Sequence, residues 1–280
     1  MQPFHRTRGS VELTEAGTEL LHRGRRLLAD LQDAVASVRT VGHGEAGLVR
    51  VGVALLTEQA VAPALTAFQA EHAGIVLDRS AMVSERLLDQ LQEGHLHAAV
   101  IHQIPALTAM EDIAWEPLRR GRLAVLASPG SRLALRDDVT LSELSEQRFL
   151  VNPRTLAPAA FEGLKLMCRE FGGFDALVLE SPLASTAALD TDWRPVREAA
   201  AIALMPEATA RTVCPADLAV VPVRPPPQYV LALAWCPGQH AAAVCQFLSY
   251  LRSYRERHAW IANSGSEPGA RELVRDLKDL

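Results

Sequence analysis

Three histidines fall within eight positions, His95, His97 and His102, and imidazole is a common metal ligand. On an extended strand His95 and His97 would share one face. No cysteine or carboxylate accompanies them at a familiar ligand spacing, so no metal site is expected. The four cysteines, Cys168, Cys214, Cys236 and Cys245, form no CxxC pair and are expected as buried free thiols, not as a zinc ribbon or a disulfide framework. The sequence is read as lacking Gly-x-Ser-x-Gly, Walker A, His-Glu-x-x-His and Gly-x-Gly-x-x-Gly patterns. Hydrolytic and nucleotide chemistry therefore have no support, and the sequence is read as a non-enzyme with no catalytic residues and no cofactor. The chemistry that remains is small-molecule binding. Ligands of open α/β sheets sit outside the carboxyl ends of strands. That rule selects Thr57 after one apolar run and Asn152, Arg154 and Thr155 after another. Arg154 is the only cation in these loops, and a guanidinium can hold a carboxylate by two parallel hydrogen bonds.

The elements that would position these residues follow from hydrophobic periodicity. Leu48 onward alternates strand and helix: GLVRVGVAL as a strand, Glu58–His72 as a helix and IVLDRS as a second strand. SERLLDQLQEG then reads as a helix with Ser84 as N-cap, and HLHAAVIH as a third strand. Such alternation predicts a parallel sheet covered by helices. Apolar runs at Ile113–Leu118 and Leu123–Ala127 lead into a second set: RFLVN, a helix over Ala159–Phe171, ALVLE, AAIALMP and LAVVPV. YVLALAW and a last amphipathic helix over Ala241–Trp260 complete it. Two alternating sets with a return strand predict two α/β lobes and a cleft.

Ahead of these lobes, Thr14 to Val41 reads as one long helix. Leu20, Gly24, Leu27, Leu31, Ala34, Val38 and Val41 alternate spacings of four and three, which is a heptad seam suited to pairing with a second copy. After Trp260 the polar, Gly/Ser-interrupted stretch 261–280 is expected to be a mobile tail. The net charge of −5 argues against a surface that grips nucleic acid throughout, although it allows a confined basic patch. No apolar run approaches the length needed to cross a bilayer and MQPFHRTRGS has no apolar core of a leader, so a cytoplasmic protein with no membrane partner is expected.

The segment FHRTRGSVELTEAGTELL resembles the end of the DNA-binding domain of LysR-type transcription regulators. There a Phe and an Arg enter the wing hairpin and a Leu-Thr-x-Ala-Gly run opens the linker helix. Phe4, Arg6, Val11, Leu13, Thr14, Ala16 and Gly17 carry the match. The remainder, to about Trp260, resembles the family's effector-binding domain through GLVRVG, Pro63, Phe68, Gly94, Leu96, Leu133-Ala134, Leu141, Leu144 and IALMPEA. His97, Ala73 and Ser131-Arg132 depart from the usual pattern.

The resemblance implies an α/β, two-lobed, type 2 periplasmic-binding-protein-like effector domain, preceded by a long linker helix and a remnant of a winged helix-turn-helix. The expected divisions are 1–13 for the wing, 14–44 for the linker and dimerisation helix, 47–125 plus 229–260 for lobe I, 126–228 for lobe II, and 261–280 for the tail. It implies a regulator that partners DNA in its complete form, binds a small-molecule effector, commonly a carboxylate, between its lobes, and assembles as a homodimer or homotetramer. The family's effector loops correspond here to Leu56, Thr57, Ser80, Ser84, His102, Gln103, Asn152, Arg154, Thr155 and Ser185. Leu56 occupies a position where a Ser or Thr is usual. Arg6 and Arg8 would be wing contacts to DNA, and Leu20, Leu27, Leu31 and Val38 dimer contacts. The family's recognition helix precedes the wing, and almost nothing precedes Phe4, so this sequence is expected to lack it, whether through artificial truncation, a misplaced start or a natural half-regulator. DNA binding by these 280 residues should then be weak, salt-dependent and poorly selective. The competing reading is a solute-binding protein of the periplasmic type, for which a leader would be expected and the wing and linker would have no use.

Overall fold

The computed structural model describes residues 4–7, 10–41, 47–102, 112–181, 192–225, 229–238 and 241–261, with the backbone alone for 4–7, 10–12, 33–41 and 213. Strands β1 (Phe4–Thr7) and β2 (Ser10–Leu13) pair antiparallel, Phe4 opposite Leu13 and Thr7 opposite Ser10. Helix α1 (Glu15–Val41) follows directly. Its start is fixed by Thr14, whose Oγ1 accepts the Gly17 N–H at 2.9 Å and so satisfies a donor that has no partner within the helix. The leucines expected on one seam are left uncovered: Leu20, Leu27 and Leu31 are 55%, 68% and 61% exposed.

The chain, ribbon and α1 included, falls into two compact units. The first takes in Met1–Ile101, Glu111–Trp115 and Leu233–Tyr250, and the second His102–Met110, Glu116–Ala232 and Leu251–Leu280. In the first, β3 (Gly47–Ala54) lies parallel to β4 (Ile75–Met82) over its whole length, and parallel to β5 (Ala98–His102) with Val51 beside Ala98. Helices α2 (Glu58–Glu71) and α3 (Ser84–Gln92) are the crossovers that parallel pairing requires. Gly52 is needed because a Cβ there would run into the Leu87 and Leu96 side chains that pack over β3. Phe68 anchors α2: it is fully buried, stacked on His72 and met edge-on by Phe247 and Tyr250.

β6 (Ala114–Gly121) leads to β7 (Leu123–Ala127), a fully buried strand of the second unit. β8 (Arg148–Val151) is followed by α4 (Pro158–Met167), a single π-helical turn at Cys168–Gly172, and β9 (Leu177–Glu180), which is parallel to β8. The short helix α5 (Arg194–Arg197), β10 (Ala203–Pro206), α6 (Glu207–Val213) and β11 (Ala219–Pro222) complete this part. β7 lies between β10 and β11 and runs antiparallel to both. Its two faces enter different clusters. Leu123, Val125 and Ala127 pack with Phe149 and Leu144, and Ala124 and Leu126 pack with Trp193 and Met205. β12 (Tyr229–Trp235) joins the sheet of β3, in the order β4-β3-β5-β12-β6, and α7 (Ala242–Arg257) is the last described helix.

Three expectations are corrected. Ser84 is the first residue of α3, not its cap: Val83 holds the extended cap position and no side chain caps the helix. His95 and His97 precede β5 and share no strand face, because Gly94 turns at φ +75° and delays the strand to Ala98. His97 Nδ1 accepts the Arg50 N–H at 3.0 Å, and His95 lies 3.2 Å from Glu93. Of the thiols only Cys168 is fully buried, its pKa pushed up to about 12 by that burial, whereas Cys245 is exposed on the outward side of α7, whose Val244, Phe247 and Leu248 are buried.

Candidate functional site

The turn from β3 to α2 is built by backbone. Thr57 is fully buried, its Oγ1 donates to the Ala54 carbonyl at 2.6 Å, and its N–H reaches the same carbonyl at 3.1 Å. Its hydroxyl proton is therefore committed inside the turn, and no side chain caps α2. Leu56 is half-buried at φ +65°, a left-handed conformation that costs an ordinary residue about 1 kcal/mol or more. Leu55 N–H bonds to the Met82 carbonyl at 3.0 Å, which ties this turn to the end of β4. Ser84 opens α3 just after β4 and is 4% exposed. The structure thus brings Leu56, Thr57 and Ser84 to one end of the paired strands β3 and β4. Ser80 lies further back, inside β4 opposite Gly52, its Oγ buried with no hydrogen-bond partner among the described residues. An unpartnered buried hydroxyl is costly and uncommon.

The turn from β8 to α4 faces solvent, and side-chain contacts join its backbone bonds from the Leu156 and Ala157 N–H groups to the Pro153 carbonyl at 2.8 and 3.1 Å. Arg154 and Thr155 are exposed and Asn152 is half-buried. Arg154 N–H donates to Glu180 Oε2 at 2.9 Å, and its guanidinium pairs with Glu162 at 2.8 Å, with the two side chains 65% and 49% exposed. The same guanidinium stands 5.9 Å from the Phe161 ring centre. Arg154 is thus available to an anion only by exchange with Glu162. His102 ends β5, half-buried, its ring 5.5 Å from that of Tyr229. Burial raises the Tyr229 phenol, and its hydroxyl has no hydrogen-bond partner among the described residues.

Gln103, Ser185, Arg8 and the 262–280 part of the expected tail lie outside the described residues, and only the backbone is described for Arg6 and Val38. No group of three His, Cys, Asp or Glu side chains suited to a metal ion occurs among the described residues. No described helix is long and apolar enough to cross a membrane. Residues 42–47, GHGEAG, do have Gly-x-Gly-x-x-Gly spacing, contrary to the expectation that nucleotide-type patterns are lacking. The pattern ends where β3 begins, whereas a dinucleotide loop follows a strand and opens a helix, and 42–46 lie outside the described residues. Sequence reasoning also missed the contact of α1 with the turn after α3. There Arg25 Nη1 donates to Glu93 Oε1 at 2.9 Å, and Gly94 passes close to Ala29. The only signal was Gly94 itself.

Comparison with known proteins gives one family, the LysR substrate binding domain, matched over residues 42–256. The HTH-type transcriptional regulator CfxR of Cupriavidus necator is 32% identical over 152 residues, 54% of this chain and 47% of that protein. The HTH-type transcriptional regulator DgdR of Burkholderia cepacia is 31% identical over 220 residues, 78% of this chain and 66% of that protein. The chain spans about half the length of the first relative and about two thirds of the second. The crystal structure of CbnR, a LysR family transcriptional regulator, superposes with a TM-score of 0.67 at 16% identity, covering 86% of this chain and 81% of that one. The BenM effector binding domain with its effector benzoate superposes with a TM-score of 0.64 at 16% identity, covering 79% of this chain and 98% of that one. At such identities the likeness shows a shared fold, the α/β effector-domain architecture.

Proposed function

This chain belongs to the LysR family, and on that premise we propose that it is the sensing and dimerising part of a DNA-binding transcription regulator controlled by a small-molecule effector. The observation that carries the reading is the order of parts in one chain: an antiparallel ribbon at Phe4–Leu13, a Thr14-capped helix, then the α/β domain. A free solute-binding protein has no use for the first two. We take the domain as lobe I over 47–125 plus 229–260 and lobe II over 126–228, and the protein as cytoplasmic.

The exposed leucines at 20, 27 and 31 support a homodimer through α1, since a soluble monomer seldom leaves such an apolar stripe uncovered. The effector contacts are Leu56, Thr57, Ser80 and Ser84 on the first turn and its neighbours, His102 with Gln103 after β5, and Asn152, Arg154, Thr155 and Ser185 in the second set. Because Thr57 spends its hydroxyl proton on Ala54 and Leu56 is apolar, the first turn suits the hydrocarbon part of an effector. Arg154 suits a carboxylate, in keeping with the benzoate described for BenM. DNA contact falls to the ribbon's Arg6 and Arg8.

The test pairs deletion of the gene, read by the transcripts of neighbouring genes, with titration calorimetry of the protein against benzoate and other small carboxylates. Altered transcripts restored by complementation, with saturable binding of at least one carboxylate, are expected. Unchanged transcripts together with no binding across the panel would sink the reading.

A further inference from the structure

Helix α1 presents two opposed faces. Leu20, Leu27 and Leu31 lie on one side and are open to solvent, whereas Arg25, Arg26 and Ala29 lie about half a turn away. Ala29 is only 5% exposed, in a helix whose neighbouring Leu28 is 62% exposed. Gly94 approaches it closely: a Cβ built on Gly94 would sit 3.1 Å from the Ala29 Cβ and 3.5 Å from the Arg26 Cα. Gly94 also turns at φ +75°, a conformation that favours glycine, and the space beside Ala29 is tight for any added side chain. Beside this close approach, Glu93 holds three groups. Oε1 accepts from Arg25 Nη1 at 2.9 Å, Oε2 accepts from Gln90 Nε2 at 3.0 Å, and His95 Nδ1 lies 3.2 Å from Oε2. Glu93 is 19% exposed, so its pairing with Arg25 is partly sheltered from water.

The turn that makes these contacts is firmly attached to the sheet. Gly94 N–H bonds to Leu91, and the His95 and Leu96 N–H groups both bond to the Gln90 carbonyl. His97 N–H bonds to Arg50 of β3 at 2.9 Å. At its other end the same helix α3 begins with buried Ser84, next to the β3–α2 turn. Nine helical residues at 1.5 Å each make a strut of about 13 Å between the two ends.

We propose that Arg25–Glu93 and Ala29–Gly94 form a latch that clamps the linker helix to the first α/β unit, with α3 as the rod joining the latch to the effector-binding turn. The meaning of the latch rests on the regulator reading above: whatever moves α3 on effector binding moves the clamp point of the helix that leads to the ribbon. The latch itself needs neither effector nor DNA to be observed.

Hydrogen exchange read by mass spectrometry on the full chain without ligand tests it, comparing amides of Glu19–Leu31 with those of β3 and β5. Ala29→Leu enlarges the helix side of the close approach and leaves the sheet untouched. It should speed exchange in Glu19–Leu31 about tenfold while β3 and β5 stay protected. Arg25→Glu and Glu93→Arg singly should each speed it about threefold to tenfold, and the double exchange of charge should restore protection. Unchanged exchange in all variants overturns the latch, as does an equal rise in β3 and β5. Loss of protection that tracks conversion to monomer by light scattering also overturns it, because the face then belongs to the dimer contact. None of these readings depends on transcripts or carboxylate binding, so failure of the latch and failure of the regulator reading are separable.

Discussion

The two strand-turn-helix passages that carry the candidate effector residues both rest on backbone bonds within the turn and differ in how far they are exposed. β3 passes into α2 through a buried turn in which Thr57 bonds only inward and Leu56 sits at φ +65°. β8 passes into α4 through an exposed turn in which backbone bonds to the Pro153 carbonyl are joined by contacts of Arg154 with Glu162 and Glu180. The helices differ in the same sense: Phe68 of α2 is fully buried among three rings, and Phe161 of α4 is 7% exposed with Arg154 and Lys165 each 5.9 Å from its ring centre. The lesson is that the first turn is part of the core and its shape is preset, while the second can rearrange at little cost.

Removing the two anchors gives the largest contrast. Phe68→Ala should cost about 3–5 kcal/mol of unfolding free energy, with Phe161→Ala at the low end of that range, since its site can be filled by neighbouring side chains or water. Urea denaturation of both variants checks this, and equal losses would break the comparison.

Smaller effects probe the first turn alone. Thr57→Val keeps the shape and removes one buried hydrogen bond, and it should cost about 1 kcal/mol by the same measurement. Leu55→Gly and Leu56→Gly both delete a half-buried leucine, but only Leu56 has positive φ. The loss at Leu56 should therefore be smaller than at Leu55 by about 1 kcal/mol, the conformational relief that glycine brings. Equal losses would mean that the left-handed turn carries no strain.

The alternation of apolar runs made most of this architecture legible before any coordinates, since period two and period 3.6 separate strands from helices. The long helix α1 was equally readable, because its periodicity is local in sequence. The antiparallel placement of β7 between β10 and β11 was not, as strand direction is set by partners some 80 residues or more away. Nor was the state of Arg154. Its partner Glu162 lies beyond a turn whose course the sequence does not display, so a guanidinium free for ligand and one already paired read the same. Leu56 at φ +65° left no trace, because leucine carries no turn signal.

Arg154→Ala is the smallest expected change in stability and the sharpest test of the second turn. Both partners of the Arg154–Glu162 pair are about half exposed or more, where ion pairs contribute little, and the backbone bond to Glu180 survives the substitution. The unfolding free energy should therefore move by less than about 0.5 kcal/mol. Binding of an anionic effector should behave differently, falling about tenfold or more, because a desolvated carboxylate would lose a charged partner. Thr57→Val should weaken that binding less, since its hydroxyl proton already serves Ala54. Glu162→Gln reverses the sign: with the competing carboxylate neutralised, Arg154 is released and affinity should rise severalfold. Calorimetric titration of the three variants with the carboxylate identified for the wild-type chain decides among them. If Arg154→Ala and Glu162→Gln both bind as the wild type does, the pair is surface decoration and the anion is held elsewhere.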